Sequence, residues 1–210
     1  VNEISNNYID LYKDYVIEGG TINNGAGEIL YQNNFITRSV RSIFFGEFSF
    51  SQIRGNQIAG LGLTETAMDF RTTSFINLSN NYIELLDIQP SCVYFRNAND
   101  CCVVGNIFRT GGFSGTPIMT LGTTNRIQIS GNQIFRDSAT SGTNMDGIEI
   151  INSDQNVIVG NYIQGGNVAT SYAVDITDTT SANNVIVGNF LNAATGDLND
   201  GGTLTTSGNN

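Results

Sequence analysis

Apolar residues recur along this chain in a fixed frame, not at a helical period. The string Ile158-Val159-Gly160-Asn161-Tyr162-Ile163 returns as Ile186-Val187-Gly188-Asn189-Phe190-Leu191 and as Ile129-Ser130-Gly131-Asn132-Gln133-Ile134. Written as apolar-x-(Gly/Asn)-Asn-x-apolar, the frame occurs eight times, centred on Asn7, Asn34, Asn56, Asn81, Asn106, Asn132, Asn161 and Asn189. A second strand pattern precedes it. Thirteen and eleven residues before the Asn stand Ile43 and Phe45, Met68 and Phe70, Val93 and Phe95, Met119 and Leu121, and Ile148 and Ile150. The intervening residue is directed outward, which is the period-two signature of a strand. The last coil repeats it as Val174-Asp175-Ile176, with two extra residues in the following turn.

Each unit reads as strand, short turn, strand, Asn turn, short strand and variable loop. Units of 22–29 residues lack the Leu-x-x-Leu-x-Leu pattern of leucine-rich repeats and fall short of the ~40–45 residues of a WD40 blade. The pattern predicts an all-β chain, a parallel β-helix solenoid of about eight coils carrying an Asn ladder. With strands ~4.8 Å apart, eight coils make a column ~38 Å tall. A tight turn needs a left-handed backbone at one residue, which Gly or Asn tolerates. Stacked Asn amides can also satisfy turn groups that would otherwise be buried and unpaired. The solenoid is expected over residues 1–192, with residues 193–210 a polar C-terminal strand or tail.

Composition changes the picture by exclusion. The chain has no His, so Ser-His-Asp and Cys-His catalysis and His-ligated zinc or haem are ruled out. A net charge of -10 and one lysine, Lys13, argue against nucleic-acid binding and against a polybasic membrane-surface module. No apolar run is long enough to span a membrane. Cys92, Cys101 and Cys102 cannot all pair within the chain, contain no CxxC, and read as small fillers of a sheet. No cofactor is expected. Calcium is the one ion that the acidic C-terminal third, without Lys or Arg after Arg136, could recruit.

These coils resemble the right-handed, single-stranded parallel β-helix repeats shared by pectate-lyase-like proteins, carbohydrate-active β-helix domains and phage tailspikes. The resemblance covers roughly residues 1–192 and rests on scaffold positions. It implies polysaccharide recognition, with or without cleavage, on a virion appendage or an extracellular protein. For tailspikes it also implies a side-by-side homotrimer. A monomeric extracellular glycoside hydrolase or polysaccharide lyase, and a structural shaft without a ligand, are the alternatives.

Function on a solenoid sits on outward columns and loops. One column holds Phe44, Asp69, Tyr94, Thr120, Glu149 and Asp175, mixing rings that stack on sugars with acids that bind hydroxyls. Glu149 and Asp175 on neighbouring coils, with Asp146 just before them, are the candidate catalytic carboxylates of an endo-acting glycosidase. Their expected spacing approaches the ~5–5.5 Å of retaining enzymes. Arg71 and Arg96 stack beside Asp69 and Tyr94 and are candidate binders of a carboxylate sugar. The aromatics after the ladder Asn (Tyr8, Phe35, Tyr82, Tyr162, Phe190) and the outward Val157, Val159, Val185 and Val187 suggest a partner surface, covered by the tail around Leu204 or by a neighbouring chain. The chain begins inside a coil without a capping helix, so more protein upstream is expected.

Overall fold

The computed structural model describes residues 2–10, 17–19, 29–37, 44–46, 49–61, 66–87, 91–111, 116–137, 145–166, 170–203 and 205–208. Their strands form three sheets, each paired throughout in parallel between successive coils. Sheet A has nine strands, from Asn2–Ser5 to Thr206–Gly208, and sheet B has eight, from Tyr8–Asp10 to Phe190–Asn192. Sheet C also has eight, from Ile17–Gly19 to Gly196–Asp200. The chain visits them in the order A, B, C in every coil. This is a parallel β-helix, and no helix occurs among the described residues.

The repeated asparagines occupy the corner between sheets A and B. From Asn34 to Asn189 each is buried. The residue before each one has φ between 54° and 67°, at Asn6, Asn33, Gly55, Asn80, Gly105, Gly131, Gly160 and Gly188. That left-handed requirement explains why only Asn or Gly appears there. The ladder Asn itself bonds along the column. Asn106 Oδ1 accepts from the Asn81 backbone N–H at 2.9 Å and from Asn81 Nδ2 at 3.0 Å. Asn106 Nδ2 donates to Leu78 O at 2.8 Å and to Asn132 Oδ1 at 3.0 Å.

The interior holds one continuous core, in which Ile53, Leu78, Val103, Ile129, Ile158 and Ile186 line sheet A. Stacked Phe70 and Phe95 fill sheet C, with ring centroids 5.1 Å apart. A second polar ladder, not anticipated from sequence, lines the corner between sheets C and A. Ser153 Oγ accepts from the Thr124 N–H, Ser181 Oγ from the Ser153 N–H, and Asn184 Oδ1 from Asn156. Earlier coils place Ile76, Cys101 and Ile127 where Asn156 and Asn184 stand, so no single residue type marks the position.

Two placements differ in detail from expectation. Phe44 pairs in register with Met68, and Phe45 with Asp69. Phe45, not Phe44, therefore shares the column of Asp69. The cause is that one residue fewer separates Phe45 from Ser49 than separates Asp69 from Ser74, the two serines being bridged. A one-residue change of this kind inverts every face assignment made by counting. The expected core position Ile43 lies outside the described residues.

The C-terminal segment continues the stack instead of lying over it. Thr206 and Gly208 pair edge-on with Val185 and Val187, and Leu198 pairs with Val174. Val157, Val159, Val185 and Val187 keep partial exposure beside the parallel rings of Tyr162 and Phe190. Leu204 lies outside the described residues.

Candidate functional site

Sheet C brings most of the expected polar column into one line. Register pairs Asp69 with Tyr94, Tyr94 with Thr120, Thr120 with Glu149, and Glu149 with Asp175. The flanking residues Met68, Phe70, Val93, Phe95, Met119, Leu121, Ile148 and Ile150 are core, so alternation directs the column to the outer face. Five coils at ~4.8 Å make a strip ~19 Å long. Outward residues of a strand are usually well solvated, but here Asp69 is 4 % exposed, Glu149 8 % and Asp175 6 %. The carboxylates are recessed.

At one end of the strip the two arginines converge on Asp69. Arg71 donates through Nε at 3.0 Å and Nη2 at 2.8 Å to Asp69 Oδ2. Arg96 donates through Nε at 2.9 Å to Oδ1. The Arg96 guanidinium lies over the Tyr94 ring, 3.8 Å from its centroid. Gly122, in register with Arg96, leaves room for that ring. A Cβ at 122 would come within 2.9 Å of Tyr94 Cε2. Asp69 thus serves as a positioning group. It uses up the Nε of Arg96 and leaves the two Nη groups, which take no hydrogen bond among the described residues, on a side chain 41 % exposed.

At the other end, Asp175 accepts from Asn199 Nδ2 at 2.8 Å, and burial raises its pKa. Asp146 stands apart from the outer face. It has no exposed surface, its Oδ1 accepts from the Tyr172 N–H at 2.6 Å, and its Oδ2 is buried without a hydrogen-bond partner among the described residues. Burial pushes its pKa up to about 6, and the nearby Asp175 charge adds to the rise. The Tyr172 amide and the Arg136 guanidinium partly offset it. Arg136, at the inner end of strand Gln133–Arg136, is itself buried and donates to Thr116 O. The interior placement of Asp146 within the field of Arg136 was not visible in the sequence. Only the odd placement of Arg136 at an inward strand position could have signalled it.

Asp146 makes stability depend on pH with a defined sign. Its folded-state pKa lies above the ordinary ~3.9 of aspartate, so folding favours the protonated form. The associated stability is complete below about pH 4 and is lost as pH rises to about 6. Relative to Asp146→Asn, the wild-type chain should therefore lose about 2–3 kcal/mol between pH 4 and pH 7. Thermal melts of both proteins across that range check it. A difference that stays flat with pH would show that Asp146 is not held neutral.

The sulfur groups are dispersed. Met68, Met119 and Met145 are fully buried. Cys92 is buried, with its thiol pushed up to about 12 by burial. Cys101 is buried too, its thiol pushed up to about 11 by burial, and its Sγ donates to Asn99 O at 3.2 Å. Cys102 alone is partly exposed, on the outer face of sheet A between Asn77 and Gln128. No group of three or more His, Cys, Asp or Glu side chains is arranged to hold a metal ion among the described residues.

The profile of the family described as "Periplasmic copper-binding protein (NosD)" matches residues 1–208. No curated protein and no solved structure matches the chain.

Proposed function

The chain belongs to the NosD family, and from this membership together with the recessed strip on sheet C we propose that it is a periplasmic β-helix that recognises a polysaccharide. The observation that carries the reading is the Arg96 arrangement. An arginine fixed by a buried carboxylate, laid on an aromatic ring and left with two open donors is prepared to bind an oxygen-rich ligand. Fixing the side chain beforehand lowers the ordering cost of binding. Thr120, Glu149 and Asp175 continue the same recessed line along the sheet. The strip suits an extended chain better than a compact small molecule, because its groups recur coil by coil without closing into a cup.

The test is affinity electrophoresis or calorimetry against a panel of bacterial surface polysaccharides. Arg96→Ala should weaken binding of the recognised glycan about tenfold or more, the effect of losing charge-assisted hydrogen bonds. The melting temperature should fall by only a few degrees, since Asp69 Oδ1 loses its donor while Arg71 still holds Oδ2 and the charge. Absence of binding across the panel, or binding indifferent to Arg96→Ala, would remove the reading.

A second reading adds cleavage to binding. The register pairing of Glu149 with Asp175, and the burial that raises the Asp175 pKa, favour a division into acid and nucleophile. Reducing-end assays on the bound glycan with Glu149→Gln belong to the same experiment. Activity unchanged by that substitution would leave binding alone.

A further inference from the structure

We infer that this chain builds no copper centre of converging side-chain ligands, although the description of its family names that metal. Copper sites are built from imidazole, thiolate and thioether groups converging on one point. The full sequence contains no histidine, three cysteines and three methionines, so six sulfur atoms are the entire stock of soft donors.

Their places in the fold keep them apart. Met68 and Met119 lie on alternate coils with Val93 between them in register, which separates their backbones by ~9.6 Å. Both have no exposed surface, and neither does Met145. Cys92 packs in the closed core, where burial disfavours the thiolate that a metal requires. Cys101 packs in the core, and its neighbour Cys102 sits on the outer face of sheet A. The column of Cys102 continues into Asn77 and Gln128, whose amides are poor copper ligands. No two accessible soft donors therefore share a face. The carboxylates of sheet C do not compensate. Asp69 is committed to two arginines and Asp175 to Asn199, and hard oxygen donors suit magnesium, calcium or manganese better than copper. The scaffold has kept the family's coils without a metal centre built on them.

The experiment titrates the purified chain with Cu(I) under anaerobic, reducing conditions in competition with bicinchoninate, and with Cu(II) followed by electron paramagnetic resonance. Melting curves are recorded with and without each metal. The expected result is no transfer of copper from the chelator, no protein-bound Cu(II) signal and an unchanged melting temperature. Copper that disappears on Cys102→Ser would also support the inference, since it marks a lone surface thiol and no converging site. One copper or more per chain retained against the chelator in Cys102→Ser would overturn it, as would a melting temperature raised by copper in that variant.

Discussion

Replacing Asn106 with alanine should lower the melting temperature by about 5–20 °C. The expectation follows from how many buried groups one side chain serves. Asn106 Oδ1 accepts from both the backbone N–H and the side chain of Asn81. Its Nδ2 donates to Leu78 O, to Val104 O and to Asn132 Oδ1. Alanine leaves the Asn81 backbone N–H without its partner in a place water does not reach, and removes one contact each from Asn81 Nδ2, which keeps Ile53 O and Ser79 O, and from the Leu78 carbonyl. The orphaned N–H costs about 1–3 kcal/mol and each of the two lost contacts about 0.5–1.5 kcal/mol, together about 2–6 kcal/mol. For a chain of this size, 1 kcal/mol is worth about 2–4 °C. Asn7 supplies the control. It carries the same residue type in the same frame, but it is exposed and sits at the end of the column. Asn7→Ala should therefore cost no more than about 1 kcal/mol, since its Nδ2 bonds to Ser5 O and Asn34 Oδ1 lie where water can replace them. Urea or thermal melts of the two variants check the contrast. Equal losses would mean that the ladder works through turn propensity and not through stacking.

That contrast also marks how far the sequence can be read. The repeat at the eight asparagines was legible because one backbone requirement and one hydrogen-bond requirement recur at the same place in every coil. The Gly/Asn choice before the ladder residue reports φ directly, as the values of 54–67° there show. Counting back from the ladder failed at Phe44, where a shortened turn moves the register by one residue. A fixed offset cannot see such a deletion.

The site was partly legible for a similar reason. Alternation placed Asp69, Tyr94, Thr120, Glu149 and Asp175 in one column, because sheet register follows from the repeat. Alternation does not report burial by neighbouring side chains, so the recession of the acids was not readable. Nor was the pairing of both arginines with Asp69. One of those contacts joins residues two apart on a single strand, and the other joins residues 27 apart on adjacent coils. Asp146 looked equivalent to Glu149 by proximity in sequence, yet it lies in the closed interior within the field of Arg136, because it precedes the strand instead of alternating within it.

Phe95→Ala should cost about 3–5 kcal/mol, enough to lower the melting temperature by roughly 10 °C or more. Phe95 has no exposed surface and stacks on Phe70 with ring planes 24° apart. In register it lies between Phe70 on one coil and Leu121 on the next. A solenoid relaxes poorly around such a loss. Each coil is held at a fixed rise by three parallel sheets, so the neighbours above and below cannot close the gap without breaking strand pairs. The cavity term therefore persists on top of the lost transfer energy. Phe95→Leu retains most of the volume and should cost less than about 1.5 kcal/mol. Phe190 separates stacking from burial, since it stacks on Tyr162 at a similar distance, 5.1 Å, but is 60 % exposed. Phe190→Ala should change stability by only about 0.5 kcal/mol. Denaturant melts of the three variants decide the point. If Phe95→Ala and Phe190→Ala were equally costly, ring stacking and not core burial would be what holds successive coils together.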